Sequence, residues 1–133
     1  MPRLISRSLA LLALFALATS APAAGNLAPQ TSSQSSVTVK VTPQSLAGAE
    51  WAFELVFDTH TQDLKDEPLN SAVLVVDGGA PSAATDWKGD APGGHHRKGV
   101  LRFKAPPGSA ANVELRLKRP AESAPRVFRW QLR

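Results

Sequence analysis

A chain of 133 residues with no cysteine and no tyrosine, carrying fifteen Lys and Arg against eleven Asp and Glu, has enough material for one modest hydrophobic core. The missing cysteine excludes disulfides, thiolate metal sites and cysteine nucleophiles. A formal net charge of only +4, with aromatics at 6%, argues against the basic grooves and stacking platforms that bind nucleic acid.

The chain begins with the three parts of a cleavable export signal. Arg3 and Arg7 supply a positive start, residues 9–18 an apolar run, and Ala21 and Ala23 the A-x-A pattern that places cleavage after Ala23. The apolar run is too short to span a bilayer, which takes about twenty residues. No cysteine is present for lipid attachment and no second apolar run follows. The expected product is therefore a free protein, periplasmic or secreted, with no stable membrane anchor after cleavage. Loss of Arg3 and Arg7 leaves thirteen basic residues against eleven acidic ones, a net of +2. Residues 24–36, rich in Ser, Gln, Thr and Pro, read as a disordered leader, and one domain is expected over residues 37–133.

From Val37 the apolar period is two, the signature of half-buried strands. Val37, Val39 and Val41 alternate with Thr38, Lys40 and Thr42. Trp51, Phe53, Leu55 and Phe57 follow in the same phase, and Ala72 to Val76 is a continuous apolar run closed by the turn sequence Asp77-Gly78-Gly79. A weaker strand approaches Trp87. Leu101 with Phe103, then Val113 with Leu115 and Leu117, then Phe128 with Trp130 and Leu132 complete the set. No segment carries a sustained helical stripe. Six to seven short antiparallel strands separated by turns predict an all-β fold, an immunoglobulin-like sandwich. Trp51 and Trp130 stand in the core phase.

Two segments resist a strand reading: residues 59–71 (THTQDLKDEPLNS) and residues 87–99 (WKGDAPGGHHRKG). Loops of this length on a rigid sandwich commonly carry binding groups, and all three histidines, His60, His95 and His96, fall in them. Asp58 shares a strand face with His60, and Asp63 follows in the loop. Imidazoles with a carboxylate suit Zn²⁺ or Cu²⁺, and Gly93-Gly94 permits a sharp bend. Two other readings stand beside a metal site: loop histidines that hydrogen-bond to carbonyls or to Asp58 or Asp86, and solvated or partner-contacting histidines. Asp63, Asp66 and Glu67 match no Ca²⁺ loop and read as a solvated acidic segment. No serine lies in a nucleophile motif, so an enzyme is not expected. Trp87 reads either as a platform beneath the Gly93-Gly94 loop or as an exposed contact for a sugar or peptide, the platform being favoured.

Charge is divided along the chain. Residues 25–96 hold three basic and nine acidic side chains, and residues 97–133 hold ten and two. Either acidic and basic strands pair across one sheet, or Arg102, Lys104, Arg116, Lys118 and Arg129 form a surface for an anionic partner.

The stretches Phe57-Asp58-Thr59-His60-Thr61-x-Asp63-Leu64, Trp87-x-Gly89 with Gly93-Gly94-His95-His96-Arg97-x-Gly99, and Arg126-x-Phe128-x-Trp130 resemble a family of exported or membrane-anchored prokaryotic proteins. Its members carry THS-x-DL, W-x-G…GGHH and R-x-F-x-W motifs; Thr61 departs from the serine of that pattern. The family has no assigned function, so the resemblance implies one domain with paired loops and adds no activity. Together these observations lead to the expectation of an exported, non-catalytic binding protein. Its ligand is either a divalent transition metal (Zn or Cu) at His60, His95, His96, Asp58 and Asp63, or an envelope protein met by the basic C-terminal strands.

Overall fold

A computed structural model describes residues 27–133; the expected export signal, residues 1–23, and the start of the leader lie outside them. Nine strands and one helical turn follow in order: β1 (Gln30–Gln34), β2 (Val37–Ser45), β3 (Glu50–Thr59), α1 (Pro68–Ser71), β4 (Ala72–Val76), β5 (Ser82–Ala83), β6 (Asp86–Gly89), β7 (His96–Lys104), β8 (Asn112–Leu117) and β9 (Arg126–Gln131). They form two antiparallel sheets, β1-β2-β3-β7-β6 and β5-β4-β8-β9. The chain is thus a β-sandwich.

Each inner face is the apolar half of a period-two pattern. Val37, Val39 and Val41 from β2, Phe53, Leu55 and Phe57 from β3, and Leu101 and Phe103 from β7 face Leu74 from β4, Val113, Leu115 and Leu117 from β8, and Phe128 and Trp130 from β9. Phe53 centres the cluster, edge-on to Phe103 with ring centroids 5.8 Å apart and 5.6 Å from Trp130. The outer face of the first sheet is polar, and opposite charges do meet across its strands. Lys98 lies 3.5 Å from Glu54 and Arg102 lies 3.6 Å from Asp86. Pairing across the sheet therefore accounts for part of the acidic-then-basic division.

Two strands were not legible in the sequence. β5 has only two residues. β1 falls inside the expected disordered leader, yet pairs with β2 from Gln30↔Val41 to Gln34↔Val37. Its turn is unusual, because Ser35 and Ser36 take φ of 50° and 61°, where glycine or asparagine is the ordinary choice. Thr59 and Gln62 hold that turn in place: Thr59 Oγ1 donates to the Ser36 carbonyl at 2.8 Å and Gln62 Nε2 to the Ser35 carbonyl at 2.5 Å.

Candidate functional site

The motif residues, scattered along the sequence, gather at one pole of the sandwich. Thr59 organises its loop: its hydroxyl accepts from the backbone N–H groups of Thr61 and Gln62, both at 3.3 Å. The two long loops are then zipped together by backbone bonds, Thr59 N–H to His95 O at 2.9 Å, Leu64 N–H to Gly94 O at 2.9 Å and Gly93 N–H to Leu64 O at 2.7 Å. Gly93 and Gly94 sit at φ of 116° and 75°, backbone that a side chain would strain. Asp63 accepts from Gly94 N–H at 2.8 Å, and Leu64 is fully buried beneath.

The predicted site residues are therefore brought to one end, with different duties. Asp58 and His96 are direct cross-strand partners, and His96 Nδ1 lies 2.5 Å from Asp58 Oδ1. Asp63 is engaged with Gly94, and His95 contributes its carbonyl. The imidazoles of His60 and His95 are exposed and make no hydrogen bond among the described residues. No group of three or more His, Cys, Asp or Glu among the described residues is placed to hold a metal. The five basic residues do not share a surface. Arg102 and Lys104 lie on the first sheet, Arg116 and Arg129 lie on the second, where both engage Glu114, and Lys118 follows β8 and donates to the Glu122 carbonyl.

Beneath the loops runs a chain of buried charge that the sequence reading missed. Arg119 binds Asp66 through two bonds of 2.8 and 2.9 Å and reaches Glu122 at 2.9 Å. Glu122 in turn takes Arg126 through bonds of 2.9 and 2.8 Å. Asp66 is 0% exposed, so the reading of a solvated acidic segment fails for it. Two arginines and two carboxylates balance, which is what makes such burial tolerable. The signal was present: Arg126 stands in the core phase with Phe128 and Trp130, and Arg97 stands in phase with Leu101 and Phe103.

The Arg126 bidentate bond holds the Glu122 carboxyl down at about 2, from an ordinary 4.5, with Gln34 and Arg119 adding to it against the opposing effect of burial. A carboxylate whose pKa is lower folded than unfolded stabilises the fold above the unfolded value. That stabilisation is lost as pH falls from about 4.5 towards 2. Asp77, held down by the Asn112 and Ala111 N–H groups, and Glu114, held down by Arg129 and Arg116, act in the same direction. The urea midpoint is expected to fall steadily between about pH 5 and pH 2.5, with a shallower fall in Glu122→Gln; equal slopes in the two proteins would contradict this role.

Arg97 has a different setting. It is 1% exposed with no carboxylate partner among the described residues; its guanidinium donates to the carbonyls of Asp66 (2.6 Å), Asp90 (3.1 Å) and Leu64 (3.3 Å). The cation also lies 5.9 Å from the Phe57 ring centroid and 6.0 Å from that of Trp87, within cation–π range. Trp87 is bedded on the facing pair Gly89 and Gly99, whose register is direct. A Cβ on Gly99 would come within 2.5 Å of the Trp87 ring. This close approach is the physical content of the W-x-G and R-x-G spacings, and it seats Trp87 on a platform of two glycines.

Beside this platform opens a cleft of about 350 Å³, walled by α1 on one side and by β6 and its following loop on the other. Pro68, Leu69, Trp87 and Pro92 give it an apolar lining, Glu67, Asn70 and Asp90 are its polar groups, and Arg97 lies at its base. Leu69 is 40% exposed, one of three large apolar side chains so exposed among the described residues. Comparison of the chain with family models, with curated proteins and with solved structures finds no match.

Proposed function

We propose that the chain is a non-catalytic binding domain working outside the cytoplasm, immunoglobulin-like in topology, whose ligand sits in the cleft between α1 and the loop after β6. The observation that carries this reading is the cleft: a concave, mostly apolar space with a few placed polar groups, beside an exposed Leu69, on a pole held rigid from below. Strand order supports the topology. With β2 taken as the first strand, one sheet reads A-B-E-D and the other has C, F and G in sequence with a short strand beside C, the arrangement of that fold. Binding rather than catalysis is supported by the pole's carboxylates, since Asp63, Asp66 and Glu122 are each engaged in holding the structure. The residues before the described ones carry the export pattern, and the motif pieces of the resembled family are those that build the pole.

A second reading, a divalent transition metal at His60, His95 and His96, is favoured by one observation. The Asp58 carboxylate 2.5 Å from His96 Nδ1 leaves Nε2 as the free ring nitrogen, as outer carboxylates do for metal-binding histidines. One experiment separates the two. Amide and indole NMR spectra of the labelled protein, recorded with a panel of small polar, aromatic and peptide fragments and separately with Zn²⁺, should show fragment-induced shifts at Leu69, Trp87 and Ala91. Shifts confined to the histidines, appearing with Zn²⁺ and lost on adding a chelator, would replace the cleft reading with the metal one.

A further inference from the structure

We propose that the occupant of the cleft is an extended, basic peptide segment of a partner protein, which adds as a strand to the free edge of β6. The proposal rests on the cleft being the binding site and names what fills it.

The first support is the state of the sheet edges. An open edge is a row of unpaired N–H and C=O groups, and folded proteins block or cover such rows. Here the β9 edge of the second sheet is blocked by a side chain. Along β9, the Gln30 side-chain amide makes a reciprocal pair with the Arg129 backbone, accepting from its N–H at 2.9 Å and donating to its carbonyl. β6 is the outer strand at one edge of the first sheet and has no such cap among the described residues. Asp90 N–H bonds to Lys98 O at 3.0 Å. By the alternation of an antiparallel ladder, Lys88 and Asp86 likewise face β7. The backbone groups of Trp87 and Gly89 then point away from the sheet, and both residues line the cleft.

The second support is charge. Among the described residues seven carboxylates lie within ion-pair distance of a basic side chain or, for Asp58, of His96. Glu67 and Asp90 are not among them, and both lie on the cleft. The Asp90 carboxylate accepts only from the Lys98 backbone, at 2.9 Å, and that of Glu67 only from the Asn70 side chain, at a long 3.5 Å, among the described residues. An incoming strand thus meets two main-chain donor–acceptor positions, an apolar wall at Leu69 and Pro68, and two carboxylates outside any ion pair, with the 1% exposed Arg97 as the lining's one buried cation among the described residues. Main-chain pairing with pockets for alternate side chains is the general form of strand addition, and the carboxylates select lysine or arginine.

The test uses a capped hexapeptide of alternating threonine and valine with one central lysine, titrated into the labelled protein. The backbone N–H of Trp87 and Gly89 should shift downfield, with the Leu69 methyls moving as well. N-methylation of alternate peptide amides should weaken binding by about tenfold, and replacing the lysine by glutamate by about fivefold. In Glu67→Gln protein the lysine preference should shrink. Equal binding of the methylated and unmethylated peptides would overturn strand addition. So would shifts at the cleft caused by non-peptide fragments alone, an outcome that leaves the cleft as the binding site. Silence of the cleft towards every probe would remove both readings together.

Discussion

Replacing Arg126 by methionine should cost the domain about 3–5 kcal/mol, the usual loss when one partner of a buried ion pair is removed. Five bonds disappear together: two to Glu122 and three to the carbonyls of Ser32, Gln34 and Val37. The Glu122 carboxylate keeps only Arg119 and Gln34 as partners, while the β1–β2 hairpin loses its tie to β9. Against a typical domain stability of about 5–15 kcal/mol, the change is large enough to read in urea denaturation. Its specific signature is local. Amide exchange should accelerate in residues 30–34 well before it does in β3 or β8, because this guanidinium ties β1 to the second sheet. Uniform acceleration would mean that Arg126 stabilises the whole core rather than β1. Glu122→Gln provides a milder companion, keeping the shape while removing the charge.

Gly99→Ala should be nearly as harmful despite adding a single methyl group. The new Cβ would lie 2.5 Å from Trp87 ring carbons and 2.8 Å from the Gly89 Cα, distances that real Cβ atoms do not show. Overpacking of this kind costs about 1–3 kcal/mol. The indole has little room to give, since Arg97 lies 6.0 Å from its centroid and that contact contributes about 0.5–2 kcal/mol. Trp87 is expected to swing out of its bed, with red-shifted fluorescence and a disturbed cleft. In a Trp87→Ala background the same Gly99→Ala change should cost much less, a non-additivity typical of touching residues. A stable Gly99→Ala protein with unchanged indole emission would refute this account of the motif.

How far the sequence spoke depended on whether a residue's role was local. β2, β3, β7, β8 and β9 follow from alternation alone, because each buries one face and period two records it. Trp51 and Trp130 read as core for the same reason. β1 could not be read this way: Gln-Thr-Ser-Ser-Gln has no apolar face, and what orders it is a set of contacts with Arg126 and Arg129, far off in the chain. The grouping of the long loops at one pole was legible, since both flank strands that proved to be neighbours. The duties within them were not. His95 acts through its carbonyl, Asp63 through a glycine N–H, and Asp66 through an arginine 53 residues away. Arginines in the core phase were the one overlooked clue, masked because charge ordinarily marks an outward position.

The Arg126 clamp also orders assembly in time. It joins Ser32 and Val37 across 94 and 89 residues, so its contacts close almost the entire chain into one loop. Closure over such a span is slow to reward the entropy it costs. The β1–β2 hairpin can form as soon as its own residues are available, but its tie to the second sheet waits for the last strand. Synthesis delivers these partners at opposite ends. A chain ending before Arg126 would therefore lack both this clamp and the core residues Phe128 and Trp130, leaving the inner face of the first sheet uncovered.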